Sequence, residues 1–176
     1  MWYLCGLGSN IEPQKNLAET VVRLLHAHGS VWLSPVVHTQ PKGIETERSF
    51  LNALVVVFSL LPPGQLKNEM NALEESLGRD RSDPMSSLKD RPIDIDILEY
   101  SATGMFTGSA IEEPYYQELF SGVTENVSAR VAIRVMGHAL GKAPATIHRD
   151  LGTGDVVIVE EGQNLHHHAV KATLAT

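Results

Sequence analysis

Arg91-Pro92-Ile93-Asp94-Ile95-Asp96-Ile97-Leu98-Glu99-Tyr100 is the stretch on which the fold turns. Apolar and acidic residues alternate from Ile93 onward, and a period of two belongs to a β-strand with two chemically different faces. Upstream lies a polar, charged loop, Arg79 to Pro92. Before it, Pro62 and Pro63 open a helix that carries Leu66, Met70, Leu73 and Leu77 on one stripe and closes at Gly78. Phe50 to Phe58 is a long β-prone run, preceded by a polar loop over 39–49. Val31 to His38, rich in β-branched residues, reads as one strand. Leu17, Val21, Leu24, Leu25 and His28 recur at helical spacing between Pro13 and Gly29, with Ser9 or Asn10 as the expected cap. Trp2 to Gly6 reads as a buried strand leaving into a turn.

The resulting order, β-α-β-β-α-β, predicts an α+β chain with a ferredoxin-like core, its antiparallel sheet carrying both helices on one face. C-terminal additions follow: a helix around Val127 to Leu140 and a strand around Val156 to Glu160. Residues 1–162 are expected to form a single domain and 163–176 a tail. His166, His167 and His168 are consecutive, cannot all face one point, and read as part of that solvated tail rather than as a metal site.

The 176 residues carry a net charge of −7, which argues against wholesale binding to nucleic acid or anionic lipid. Cys5, the single cysteine, lies in an apolar run and reads as core; with no internal disulfide possible, a cytoplasmic setting is expected. No run reaches the ~18 apolar residues of a membrane span.

Asp94 and Asp96 sit on one strand face with Cα atoms about 6–7 Å apart. Such a pair repels itself and suits two Mg²⁺ ions that clamp transferring phosphoryl oxygens. The alternative is the wet side of a half-exposed strand, and spacing alone does not choose between them. Arg79, Arg81, Lys89 and Arg91 place four of the chain's 14 basic residues in the 13 positions just upstream, a local excess that suits a metal-bound polyphosphate or forms a solvated charged loop. Asn52 lies inside a strongly apolar run and shares one strand face with Phe50. Either it bonds backbone groups, or it reads a flat heterocycle stacked on Phe50. Gly6-Leu7-Gly8-Ser9-Asn10 reads as a tight turn or, less specifically, as a phosphate cradle.

In this order the pieces resemble 6-hydroxymethyl-7,8-dihydropterin pyrophosphokinases. The matching segments are Gly6 to Asn10, Thr39-Gln40-Pro41-Lys42-Gly43, Phe50-Leu51-Asn52-Ala53, Glu74, Leu77 to Arg81, and Arg91 to Leu98. The resemblance implies Mg-dependent transfer of pyrophosphate from ATP to the reduced pterin, releasing AMP, in folate biosynthesis. It implies two Mg²⁺ ions on Asp94 and Asp96, with Arg79 and Arg91 completing the catalytic set. It implies ATP contacts from Glu74, Arg79, Arg81, Arg91 and Ile97, and pterin contacts from Thr39, Pro41, Gly43, Phe50 and Asn52. Segments 40–48 and 80–90 would act as lids. ATP and the pterin are the expected partners of a monomer, with no nucleic acid and no membrane.

One departure stands out. The family follows its Asp-x-Asp strand with a Pro-His pair and then an arginine, whereas here Pro114 precedes Tyr115 and Tyr116 and no arginine occurs until Arg130. That motivates a rival reading, a divergent pterin- or nucleotide-binding homologue with weak or no turnover.

Overall fold

The computed structural model describes residues 1–41, 46–122 and 129–160, with the side chains of 159 and 160 excepted. In chain order the strands are β1 (Trp2–Ser9), β2 (Ser30–Leu33), β3 (Val37–Thr39), β4 (Phe50–Phe58), β5 (Asp94–Ser101), β6 (Ile133–Val135), β7 (His138–Leu140), β8 (Ala145–Arg149) and β9 (Val156–Glu160); the helices are α1 (Pro13–His28), α2 (Pro63–Ser76) and α3 (Pro114–Ser121).

One sheet runs β5-β1-β4-β2-β8-β9, with β3 also paired to β4, while β6 and β7 form a separate hairpin. Every pairing is antiparallel. β1 is buried along nearly its whole length, because hydrogen-bonded neighbours flank it and layers cover both faces. Tyr3, Cys5 and Leu7 face α1 and α2, where Leu17, Val21, Leu25, Leu66 and Met70 meet them, together with Ile133 and Val135. Leu4, Leu54 and Val56 face the opposite way, against Phe106, Ile111, Tyr116 and Leu119. Burial pushes the Cys5 thiol up to about 12, as befits an inert core residue.

Helix α1 stops where expected: Gly29 takes a left-handed conformation (φ 78°) and its N–H bonds Leu25 O at 2.8 Å. Four expectations need correction. Neither Ser9 nor Asn10 caps α1; the cap position is Glu12, which makes no side-chain cap. The run Val31 to His38 is two strands, because Pro35 has no N–H to donate and Ser34 turns its hydroxyl to accept from Leu54 N. Residues Gly6 to Ser9 continue β1 and are not a turn. Val127 to Leu140 is not a helix. Val127 and Ser128 lie outside the described residues, and the remainder forms β6 and β7 around Met136 and Gly137, both at positive φ. The strand at Val156 to Glu160 is present as β9 and extends the main sheet, whereas 163–176, with the three histidines, lies outside the described residues.

No helix among the described residues is long and apolar enough to cross a membrane.

Candidate active site

Register across the sheet assembles the site. Asp94 pairs with Gly8 and Asp96 with Gly6, while Gly8 and Gly6 pair with Asn52 and Leu54 on the far side of β1. Paired residues share a face, so both carboxylates and Asn52 stand on the layer opposite α1 and α2, with two glycines between them. A third layer occupies that space. A Cβ on Gly6 would lie 2.6 Å from Tyr116 Cζ, and one on Gly8 would lie 2.8 Å from Asn52 Oδ1. The phosphate-cradle reading of these glycines therefore gives way to close approach by side chains. Tyr116 is buried and donates its hydroxyl to Leu7 O at 2.9 Å. Gly6→Ala should force that pinned ring aside and lower stability by about 1–3 kcal/mol, measurable as a shift in urea midpoint at constant slope.

Asp94 is held between two arginines. Arg79 Nη1 donates to Oδ1 and Arg91 Nη1 to Oδ2, each at 2.5 Å. Burial by itself would raise the Asp94 carboxyl; the guanidinium of Arg79, then that of Arg91, outweighs it and holds the group below the ordinary carboxylate value. Asp96 is 57% exposed and, among the described residues, has Lys67 Nζ as its ion-pair partner at 3.5 Å. Lys67 also donates to Ile95 O at 2.5 Å.

Behind this pair, Glu74 of α2 is wholly buried. Its Oε1 accepts the Ile95 N–H at 2.6 Å, Oε2 accepts Arg81 Nε at 2.7 Å, and Arg79 Nη1 stands 3.6 Å away. One carboxylate thus ties α2, the start of β5 and two arginines together. Asn10 performs a similar task on the other side: its Oδ1 accepts the Arg91 N–H at 2.7 Å and its Nδ2 donates to Asp90 at 2.8 Å. The Arg91 guanidinium lies 6.0 Å from the Phe50 ring centroid, at the outer limit of a cation–π contact.

A cavity of about 160 Å³ opens beside Asp94 and Asp96, lined also by Gly8, Thr39, Gln40, Phe50, Asn52, Arg91, Glu113, Tyr115 and Tyr116. Asn52 Nδ2 donates to Thr39 Oγ1 at 2.6 Å, so its buried amide bonds a side chain rather than backbone. On the other side of Asp96, a groove of about 610 Å³ runs between the start of α2 and β5, lined by Lys67, Ile97, Leu98, Glu99 and Tyr100 among others.

The structure therefore gathers Asp94, Asp96, Arg91, Thr39, Phe50 and Asn52 at one cavity and puts Ile97 in the neighbouring groove. Arg79 bonds Asp94, whereas Glu74 and Arg81 face each other behind the strand. Pro41 is not among the residues lining either space, and Gly43 lies outside the described residues. Lys67 and Glu113 were not foreseen; Asn10, Gln40, Tyr115 and Tyr116 stood in the motifs read from the sequence but were assigned no place at this cavity. Lys67 had a signal, since it follows a core position on α2 and so lies at the edge of the buried stripe; Tyr116, 109 residues from its partner Leu7, had none.

The two carboxylates fit magnesium by their chemistry, being hard oxygen donors side by side with no side chain between them on β1. Among the described residues no group of three or more His, Cys, Asp or Glu side chains could hold a metal ion. That also fits, because Mg²⁺ characteristically takes one or two carboxylates and completes its shell with water and phosphate.

A family model described as 7,8-dihydro-6-hydroxymethylpterin-pyrophosphokinase matches residues 4–124. The 2-amino-4-hydroxy-6-hydroxymethyldihydropteridine pyrophosphokinase of Porphyromonas gingivalis is 34% identical over 114 residues, covering 64% of this chain and 78% of the relative. Its namesake from Bacillus subtilis is 32% identical over 120 residues, 65% of this chain and 70% of the relative. The folate synthesis bifunctional protein of Arabidopsis thaliana is 32% identical over 97 residues, 54% of this chain and 20% of that protein.

Proposed function

Because the chain belongs to the 7,8-dihydro-6-hydroxymethylpterin-pyrophosphokinase family, we propose that it transfers pyrophosphate from ATP to 6-hydroxymethyl-7,8-dihydropterin in folate biosynthesis, releasing AMP. The observation that carries this reading is the pairing of Asp94 and Asp96 beside a cavity that also holds Phe50 and Asn52. The strand order β5-β1-β4-β2, with α1 and α2 on one face, supports the ferredoxin-like reading of the core.

Phe50 offers a flat apolar face to the pterin and Asn52, held by Thr39, offers a fixed polar edge. The nucleotide would lie along the groove containing Ile97, with Lys67 at the boundary of the two spaces. Mg²⁺ held by Asp94 and Asp96 would screen phosphate charge and acidify the substrate alcohol. Arg79, Arg81 and Arg91 then turn from their carboxylate partners to phosphate oxygens. The pterin hydroxyl oxygen bonds to the β-phosphorus, the bond from that phosphorus to the α,β-bridging oxygen breaks, AMP departs and the hydroxyl proton passes to solvent. Positioning and charge stabilisation are the protein's contributions. The working unit proposed is a monomer in a cytoplasmic setting, which supplies ATP and Mg²⁺.

Incubating the protein with ATP, Mg²⁺ and the reduced pterin should release AMP only when the pterin is present. Binding of both ligands with no AMP would identify a divergent binder instead, and AMP formed only with another acceptor would identify a different phosphotransferase.

The arginine pair on Asp94 leads to a further expectation. Without nucleotide both carboxylate oxygens are already engaged, so Mn²⁺, used as a paramagnetic probe, should bind weakly. A non-hydrolysable ATP analogue should strengthen that binding by at least about tenfold by drawing Arg79 and Arg91 away. Equal Mn²⁺ affinity with and without the analogue would rule the coupling out.

A further inference from the structure

Ile95, the residue between Asp94 and Asp96, bonds α2 with both of its backbone groups, because β5 is the outer strand of the sheet and pairs only with β1. Glu74 accepts its N–H, and Lys67 Nζ donates to its carbonyl at 2.5 Å. The same ammonium stands 3.5 Å from Asp96 Oδ1. Among the described residues no other cationic side chain reaches Asp96, whereas the two oxygens of Asp94 are taken by Arg79 and Arg91. Lys67 is 35% exposed, so water could satisfy the Ile95 carbonyl equally well. What a lysine adds there is a positive charge, pinned beside the more open of the two carboxylates.

As an ion pair this contact contributes little to stability. A divalent cation at Asp96 changes the balance, because Coulomb energy scales with the product of the charges and an ammonium bonded to Ile95 O does not move away freely. We propose that Lys67 makes the acidic pair take up a divalent cation that arrives with nucleotide in preference to the bare ion. This rests on the pyrophosphokinase reading above, which puts the metal on Asp96. The bare dication is repelled by Lys67, whereas its ATP complex, net negative, is attracted by the same charge. Lys67 acts through its field at Asp96 and is a positioning residue rather than a catalytic one.

Lys67→Met removes the charge and keeps most of the side chain's length. At low ionic strength, affinity for Mn²⁺ without nucleotide, read from the paramagnetic resonance of the free ion, should rise by about 3–10-fold. Affinity for the Mn²⁺ complex of α,β-methylene-ATP should fall by about 2–5-fold. Lys67→Arg keeps the charge and should stay within about twofold of wild type in both titrations. The gain in bare-metal affinity should also vanish when Lys67→Met is combined with Asp96→Ala. Equal bare-metal affinity in wild type and Lys67→Met would overturn the proposal. A gain that survives Asp96→Ala, or parallel changes for the bare ion and its nucleotide complex, would do the same. If the wild-type protein makes no pterin-dependent AMP, the reading of function fails separately, and the Mn²⁺ titrations, which need no turnover, still decide.

Discussion

Asp94→Ala should abolish pterin-dependent AMP release and weaken the fold in the same stroke. The catalytic loss follows from removing one of two carboxylates that face the cavity, and a fall in turnover of at least about 10³-fold is expected where metal and transition-state charge are both lost. The stability loss has a different origin. Arg79 and Arg91 are only 8% and 15% exposed, and Asp94 pairs with both. In addition, the Nε atoms of both arginines are buried with no partner, so the carboxylate is their principal compensation. Removing it leaves Arg91 without a carboxylate partner and Arg79 with only Glu74 at 3.6 Å, and about 2–4 kcal/mol should be lost, below the range for a fully buried pair because Asp94 retains 21% exposure. Asp96→Ala should lose transfer to a similar degree yet unfold within about 0.5 kcal/mol of wild type, since an exposed carboxylate 3.5 Å from one lysine contributes little. Urea titrations alongside the AMP assay separate the two effects; an Asp94→Ala protein that turns over normally would remove the basis of the mechanism.

The pH dependence has a definite sign. The folded Asp94 carboxyl lies below its ordinary value, so its contribution is fully present above about pH 4 and disappears as pH falls through the depressed value. The stability gap between wild type and Asp94→Asn should therefore be constant near neutrality and close on acidification below about pH 4.

Glu74→Ala should be the most destabilising single substitution near the site, costing about 3–5 kcal/mol. Three groups depend on this one wholly buried side chain: the Ile95 N–H, the Arg81 guanidinium and, at longer range, Arg79. Alanine leaves a buried amide and a partly buried cation unsatisfied and opens space between α2 and β5. Because Ile95 lies between Asp94 and Asp96, slack there also misplaces both carboxylates, so activity should fall even where the variant remains folded. Glu74→Gln keeps an acceptor for the Ile95 N–H and should recover part of the stability without the ion pairs. A Glu74→Ala midpoint within 1 kcal/mol of wild type would show that the clamp carries little.

Much of this was legible because strand and helix periods are local. Pro13 and Gly29 bounded α1, Pro62, Pro63 and Gly78 bounded α2, and apolar stripes at helical spacing identified the faces they bury. The segment 130–135 could have been read correctly on the same basis. Ile133 and Val135 are buried while Arg134 between them is exposed, a period of two that a helical reading over 127–140 overlooked. The strand break at Ser34-Pro35 was also visible, since proline cannot donate to a ladder. By contrast, nothing in Gly6 or Gly8 announces that Tyr116 and Asn52 press against them.

From sequence alone, then, the alternation at Ile93 to Asp96 determined that two carboxylates share a face, because side-chain direction along a strand depends only on residue parity. Which groups meet those carboxylates was decided by tertiary structure. Register across β1 set Asp94 and Asp96 in line with two glycines and Asn52, and α3 filled the space left above them with Tyr115 and Tyr116. Neighbours separated by up to 109 residues are brought together by packing that must close without voids, and no local pattern encodes that partner choice.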